Sequence, residues 1–170
     1  MSFLKKFITV GAFLALAACN DPSQLGGGVG GSGSASGGIG AAGSVSDPTS
    51  IAYFQQAVGD RVLFAVDQST ITPEGQTTLD AQANWLIRNG DYTAVIEGHA
   101  DEKGTREYNL ALGARRANAV REYLVSRGVS GTRLRTVTYG KERPIEICSE
   151  ESCYARNRRA VTVLAGGLTG

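Results

Sequence analysis

The chain has 170 residues, 42% of them hydrophobic, and sets 17 Lys and Arg against 16 Asp and Glu for a formal charge of +1. So even a balance offers neither a basic surface for nucleic acid nor a polybasic patch for an anionic membrane. A single histidine and three cysteines leave little for metal or thiol chemistry.

In chain order, Lys5 and Lys6 precede an apolar run from Phe7 to Ala18 that ends at Cys19. A charged start, a short apolar stretch and a small-residue exit describe a secretory leader over residues 1–18. The run is too short to cross a bilayer comfortably. Leu16-Ala17-Ala18-Cys19 reads as a lipobox, in which the Cys19 thiol receives diacylglycerol before cleavage ahead of it. Two such chains and an N-acyl chain bury dozens of methylenes at about 0.8 kcal/mol each, an effectively permanent anchor. Asn20, where an aspartate would retain the protein, resembles the signal for outer-membrane sorting, although Asp21 stands beside it. Cleavage removes Lys5 and Lys6, so the mature chain carries 15 basic against 16 acidic residues, near −1. Cys148 and Cys153 remain in an oxidising compartment, where an even count favours a disulfide across Ser149 to Ser152, the alternative being two free thiols in a short loop.

Residues 19–46 are rich in Gly and Ser, as in Gly26-Gly27-Gly28 and Gly30-Gly31-Ser32-Gly33-Ser34, with few large apolar side chains to bury. Such a coil spans about 30 Å end to end and serves as a tether. Residues 47–170 have enough length for one core. Val62 to Val66 is predicted as a buried strand. Thr72 then caps a helix whose first residue is Pro73, with Leu79, Ala83 and Leu86 on its inner face and an end near Asn89-Gly90. Ala94 to Glu97 is the second strand. A second helix runs from about Thr105 to Arg127, with Leu110, Ala117, Val120 and Leu124 inward and Gly128 as its stop. Arg133 to Tyr139 and Ala160 to Leu164 are the last two strands. The order βαβαββ predicts an α+β sandwich, a mixed four-stranded sheet with helices on one face.

Asp101 falls in the turn after the second strand, where Gly98 and Gly104 allow the backbone to bend. Thr105, Asn109, Leu112 and Arg116 follow at spacings of four, three and four, one stripe of the second helix. The arginine side chain leans back toward the helix start, which sets Asp101 and Arg116 within about 10 Å of each other at the rim of the core. A carboxylate and a planar guanidinium so placed fit a zwitterion, with an ammonium for Asp101 and a carboxylate for Arg116.

Three independent features converge here: EGHADEKGTREYNLALGARRANAV from Glu97 to Val120, the run Ala155-Arg156-Asn157-Arg158-Arg159-Ala160-Val161, and the lipobox. Together with Tyr139-Gly140-Lys141-Glu142-Arg143-Pro144 they resemble the OmpA-like domains, in particular those of peptidoglycan-associated lipoproteins. The resemblance implies ligand contacts at Asp101, Leu112, Arg116, Asp67 and Thr105, with Asn109 and Arg158 shaping the pocket. Gly113 stands where many OmpA-like domains have serine. It also implies that the zwitterion is diaminopimelate in an uncrosslinked peptidoglycan stem, and that this is an outer-membrane protein that ties the membrane to the wall. Partners would be a periplasmic β-propeller protein and other members of the Tol system, with a role in envelope integrity and membrane invagination at division. The alternative is an OmpA-like lipoprotein outside that system, a secretion or efflux accessory.

Other residues have plainer expected roles. Tyr108 and Trp85 are expected to pack, Arg115 to be solvated, and His99 to hold its loop by a hydrogen bond. A peptidoglycan hydrolase fits poorly. One histidine cannot complete a zinc site, no G-x-S-x-G is present, and neither Cys148 nor Cys153 has a histidine nearby in sequence. The sequence therefore predicts binding without turnover, and no cofactor or metal.

Overall fold

The computed structural model describes residues 43–147 and 149–166. The leader, Cys19 and most of the expected tether lie outside the described residues, which all belong to one compact unit, Ile39–Gly170. Its elements are a one-turn helix α1 (Ile51–Tyr53) that continues as a π-helical turn (Phe54–Gly59), strand β1 (Arg61–Leu63), helix α2 (Pro73–Arg88), strand β2 (Thr93–His99) and helix α3 (Arg106–Ser126). After a 3₁₀ turn (Gly131–Arg133) come β3 (Leu134–Gly140), α4 (Glu151–Asn157) and β4 (Arg159–Ala165).

The four strands form one mixed sheet in the order β1-β4-β2-β3. β2 and β3 run parallel and β4 is antiparallel to both β1 and β2. The final strand thus inserts between the first two, so β1 and β2 are joined through α2 without touching. The side chains alternate as a half-buried sheet requires: Ala94 and Ile96 of β2 and Ala160 and Leu164 of β4 enter the core, whereas Val163 is exposed. Ala83, Trp85 and Leu86 of α2 and Ala117, Val120 and Leu124 of α3 cover that face.

The helix signals act as the sequence predicts. The Thr72 hydroxyl accepts from the Gly75 amide at 3.1 Å and the Thr105 hydroxyl from the Tyr108 amide at 3.2 Å, each satisfying a donor the first turn leaves free. Gly128 closes α3 at φ 99°. Leu110 is only half-buried; the inward register of α3 instead runs through Leu112, Gly113, Arg116, Ala117, Val120 and Leu124.

Three parts differ from the sequence reading. β1 stops at Leu63 rather than Val66, because its partner β4 begins at Arg159, opposite Leu63; beyond it Val66 is 56% exposed. The segment before β1 forms α1 and the π turn, which hold Phe54 against Trp85 at 4.9 Å while Trp85 Nε1 donates to the Pro48 carbonyl at 2.7 Å. Where a bare loop was expected before β4, α4 forms instead. It carries Cys153, which is disulfide-bonded; Cys148 lies outside the described residues.

Gly98 also works differently from a hinge. A Cβ there would meet the Gly113 carbonyl oxygen at 1.9 Å, and one on Gly113 would meet Thr138 Oγ1 at 2.4 Å. β2 and α3 therefore touch backbone to backbone at this crossing, which draws the start of α3 tight against the end of β2 and fixes the loop between them. The bend itself rests on Gly104, at φ 91°.

Candidate functional site

The β2–α3 loop, the turn after β1 and the first turns of α3 enclose a cleft of about 260 Å³ lined by Val66, Asp67, Asp101, Lys103, Gly104, Tyr108, Asn109 and Leu112. The loop is held from within. Asp101 Oδ1 accepts from the Lys103 amide at 3.2 Å, and the buried Asn109 amide group donates to the Lys103 carbonyl at 2.7 Å. Asp101 Oδ2 accepts from Arg158 Nη1 at 3.1 Å, and Arg158 also reaches Glu151 at 2.6 Å and the Phe64 carbonyl at 3.2 Å. Arg158 thereby ties α4, the segment just after β1 and the Asp101 loop together, and Glu151 joins the site unannounced by the sequence.

Arg116 is not at the rim, where helix spacing alone would set it, but 0% exposed beneath the cleft. Its Nε, Nη1 and Nη2 donate to the carbonyls of Gln68 (2.8 Å), His99 (2.8 Å) and Ala65 (3.1 Å), and the guanidinium lies 5.2 Å from the centre of the Phe64 ring. Burial pushes it down to about 10, opposed chiefly by the attraction of Asp101, so it remains charged at neutral pH. Spacing along the helix alone does not reveal this depth, because Gly113 and Gly98 bring the helix closer to the sheet than ordinary side chains allow. Two of the three carbonyls it holds, Ala65 and Gln68, bracket Asp67, the sole non-glycine residue with positive φ among the described residues, at 57°. That conformation costs free energy and persists where surroundings impose it; here the surroundings are Arg116.

Of the seven expected binding residues, Asp67, Asp101, Asn109 and Leu112 line the cleft, Thr105 caps the helix at its edge, and Arg116 and Arg158 support it from below and behind. Tyr108 is not a packing residue. It is 43% exposed and its hydroxyl donates to Asp67 across the cleft. The i, i+4 relation of Tyr108 to Leu112 was the available signal. Arg115 is exposed, with its guanidinium 5.9 Å from the Tyr108 ring. Trp85 does pack in the core, 1% exposed. His99 holds its loop through its backbone carbonyl alone. Among the described residues neither buried ring nitrogen has a hydrogen-bond partner, and Nε2 lies 3.7 Å from Glu97. Burial, then the charges of Arg159 and Arg143, push its ring down to about 4, so it is neutral.

A cleft with two carboxylates over a buried cation, on a loop that the sheet and two helices immobilise, is sized and charged to suit a small ionic group. The OmpA family model matches residues 63–158. The peptidoglycan-associated lipoprotein of Rhizobium meliloti is 52% identical over 160 residues, covering 90% of this chain and 83% of its own. The crystal structure of the peptidoglycan-associated lipoprotein from Burkholderia pseudomallei superposes with a TM-score of 0.63 at 36% identity, over 71% of this chain and 98% of that one. The C-terminal domain of Helicobacter pylori MotB shares the fold, with a TM-score of 0.59 at 20% identity over 64% of this chain and 86% of that one. The chain belongs to the OmpA family and, within it, to the peptidoglycan-associated lipoproteins, which are not enzymes.

Proposed function

We propose that this protein is anchored to the periplasmic face of the outer membrane through lipid on Cys19 and binds peptidoglycan non-covalently through diaminopimelate of the stem peptide. The domain of residues 47–170 does the binding, residues 1–18 are the leader, and residues 19–46 are the tether. The observation that carries the reading is the cleft itself, with Asp101 and Asp67 on its walls above a buried, charged Arg116. An ammonium on the ligand pairs with Asp101. A carboxylate on the same carbon is drawn to Arg116, which commits three of its five N–H groups to carbonyls and keeps two. Leu112 supplies the apolar contact for the methylenes that lead away from that carbon, and Thr105 the polar edge.

The protein tethers membrane to wall and, with the β-propeller partner and other members of the Tol system, supports envelope integrity and membrane invagination at division. Purified sacculi test the binding step. Full-length protein in detergent is expected to sediment with them and to be released by free diaminopimelate, but not by a lysine-type stem lacking the second carboxylate. Equal release by both would defeat the zwitterion reading. Labelled palmitate is expected in the wild type and absent from Cys19→Ser; label retained in that variant would move the anchor elsewhere.

A further inference from the structure

We infer that Tyr108 is a positioning residue of the binding cleft, holding Asp67 as a second carboxylate of the ammonium subsite opposite Asp101. The inference rests on the binding reading above and adds a determinant to it. Asp67 is exposed at the tip of a turn and belongs to no helix or strand. Left alone, its carboxylate would sample solvent. Two contacts from α3 prevent this. Arg116 fixes the backbone by holding the carbonyls of Ala65 and Gln68 on either side, and the Tyr108 hydroxyl, 41 positions away in sequence, takes the carboxylate.

Tyr108 is itself held in place. Its amide donates to the Thr105 hydroxyl at the helix start, and the Arg115 guanidinium lies over its ring. The hydrogen bond to Asp67, followed by burial and the charge of that carboxylate, raises the phenol's ionisation above its ordinary value, so the hydroxyl remains a donor throughout the working pH range. The bridge engages Asp67 Oδ1, so the carboxylate keeps Oδ2 as a further acceptor, and Asp67 lines the cleft together with Asp101 and Lys103. An ammonium with three donors is then met from two sides, a demand that a ligand with an acylated or amidated nitrogen cannot satisfy. The tyrosine therefore contributes to discrimination between free and crosslinked stems without itself forming the charge pair.

Calorimetric titration of the full-length protein in detergent with meso-diaminopimelate tests this through a double-mutant cycle. Tyr108→Phe is expected to bind about tenfold more weakly, as for loss of one hydrogen bond to a charged group, with its melting temperature unchanged because the ring remains. In an Asp67→Ala background the same substitution is expected to have no further effect. Wild-type affinity in Tyr108→Phe, or a tenfold loss that persists on top of Asp67→Ala, would overturn the inference. The outcomes separate it from the binding reading: no binding by wild type sinks both, whereas binding lost in Asp101→Ala but intact in Tyr108→Phe sinks only this one.

Discussion

Replacing Arg116 by alanine should unfold the protein more readily, before any effect on ligand is considered. Its side chain is fully buried and supplies three carbonyls, of which that of His99 is buried and those of Ala65 and Gln68 partly so. Truncation strands all three and opens a cavity against Phe64. A buried acceptor left without a donor costs about 1–3 kcal/mol, the partly exposed ones less because water can reach them, and the cavity adds a further term. The sum is about 4 kcal/mol. For a domain of this size that lowers the melting temperature by roughly 10–20 °C. Arg116→Lys keeps the charge, but one ammonium cannot span three diverging carbonyls, and it should recover less than half of the loss. Urea denaturation followed by circular dichroism measures both. A cost below about 1 kcal/mol for Arg116→Ala would show that the three hydrogen bonds are replaceable and that the Asp67 turn holds itself.

Gly98→Ala places a methyl 1.9 Å from the Gly113 carbonyl; since backbone must move, it should destabilise by about 3 kcal/mol and weaken ligand binding by displacing the Asp101 loop, and a wild-type melting curve would refute the close crossing. His99 is the only histidine, so its Cε1 proton resonance can be followed alone; it should titrate near 4 and not at the ordinary 6.5. As pH falls below 6.5 the unfolded chain takes up a proton that the folded one refuses. Stability from this group is therefore full above 6.5 and declines by up to about 3 kcal/mol toward pH 4; titration above pH 6 would contradict its burial in the neutral form.

Much of the site was legible because local rules and the tertiary outcome agree. Thr72 and Thr105 cap helices as their hydroxyls must, and Asp101, Asn109 and Leu112 reach one cleft because a strand exit, a glycine bend and a helix stripe each have a fixed geometry. What escaped depends on distances between elements. The depth of Arg116 follows from two glycines on different elements meeting, and the short reach of β1 from where β4 begins. The burial of His99 without a hydrogen bond has no local signature at all. Seven-residue α4 is too short for periodicity to reveal, yet through Glu151 and Arg158 it braces Asp101.

The central claim is that Asp101 takes the charged end of a peptidoglycan stem, and retention of Asp101→Asn on purified sacculi tests it most directly. The substitution keeps volume and leaves Arg158 its contacts to Glu151 and the Phe64 carbonyl, so the fold should lose only about 1–2 kcal/mol, unlike the Arg116 variants. Loss of the charge leaves the ligand ammonium without its partner, at about 2–5 kcal/mol, or more than about tenfold in affinity. The account predicts that the folded variant stays in the supernatant while wild type sediments; equal sedimentation of the two, with the variant's melting curve confirming its fold, would contradict it.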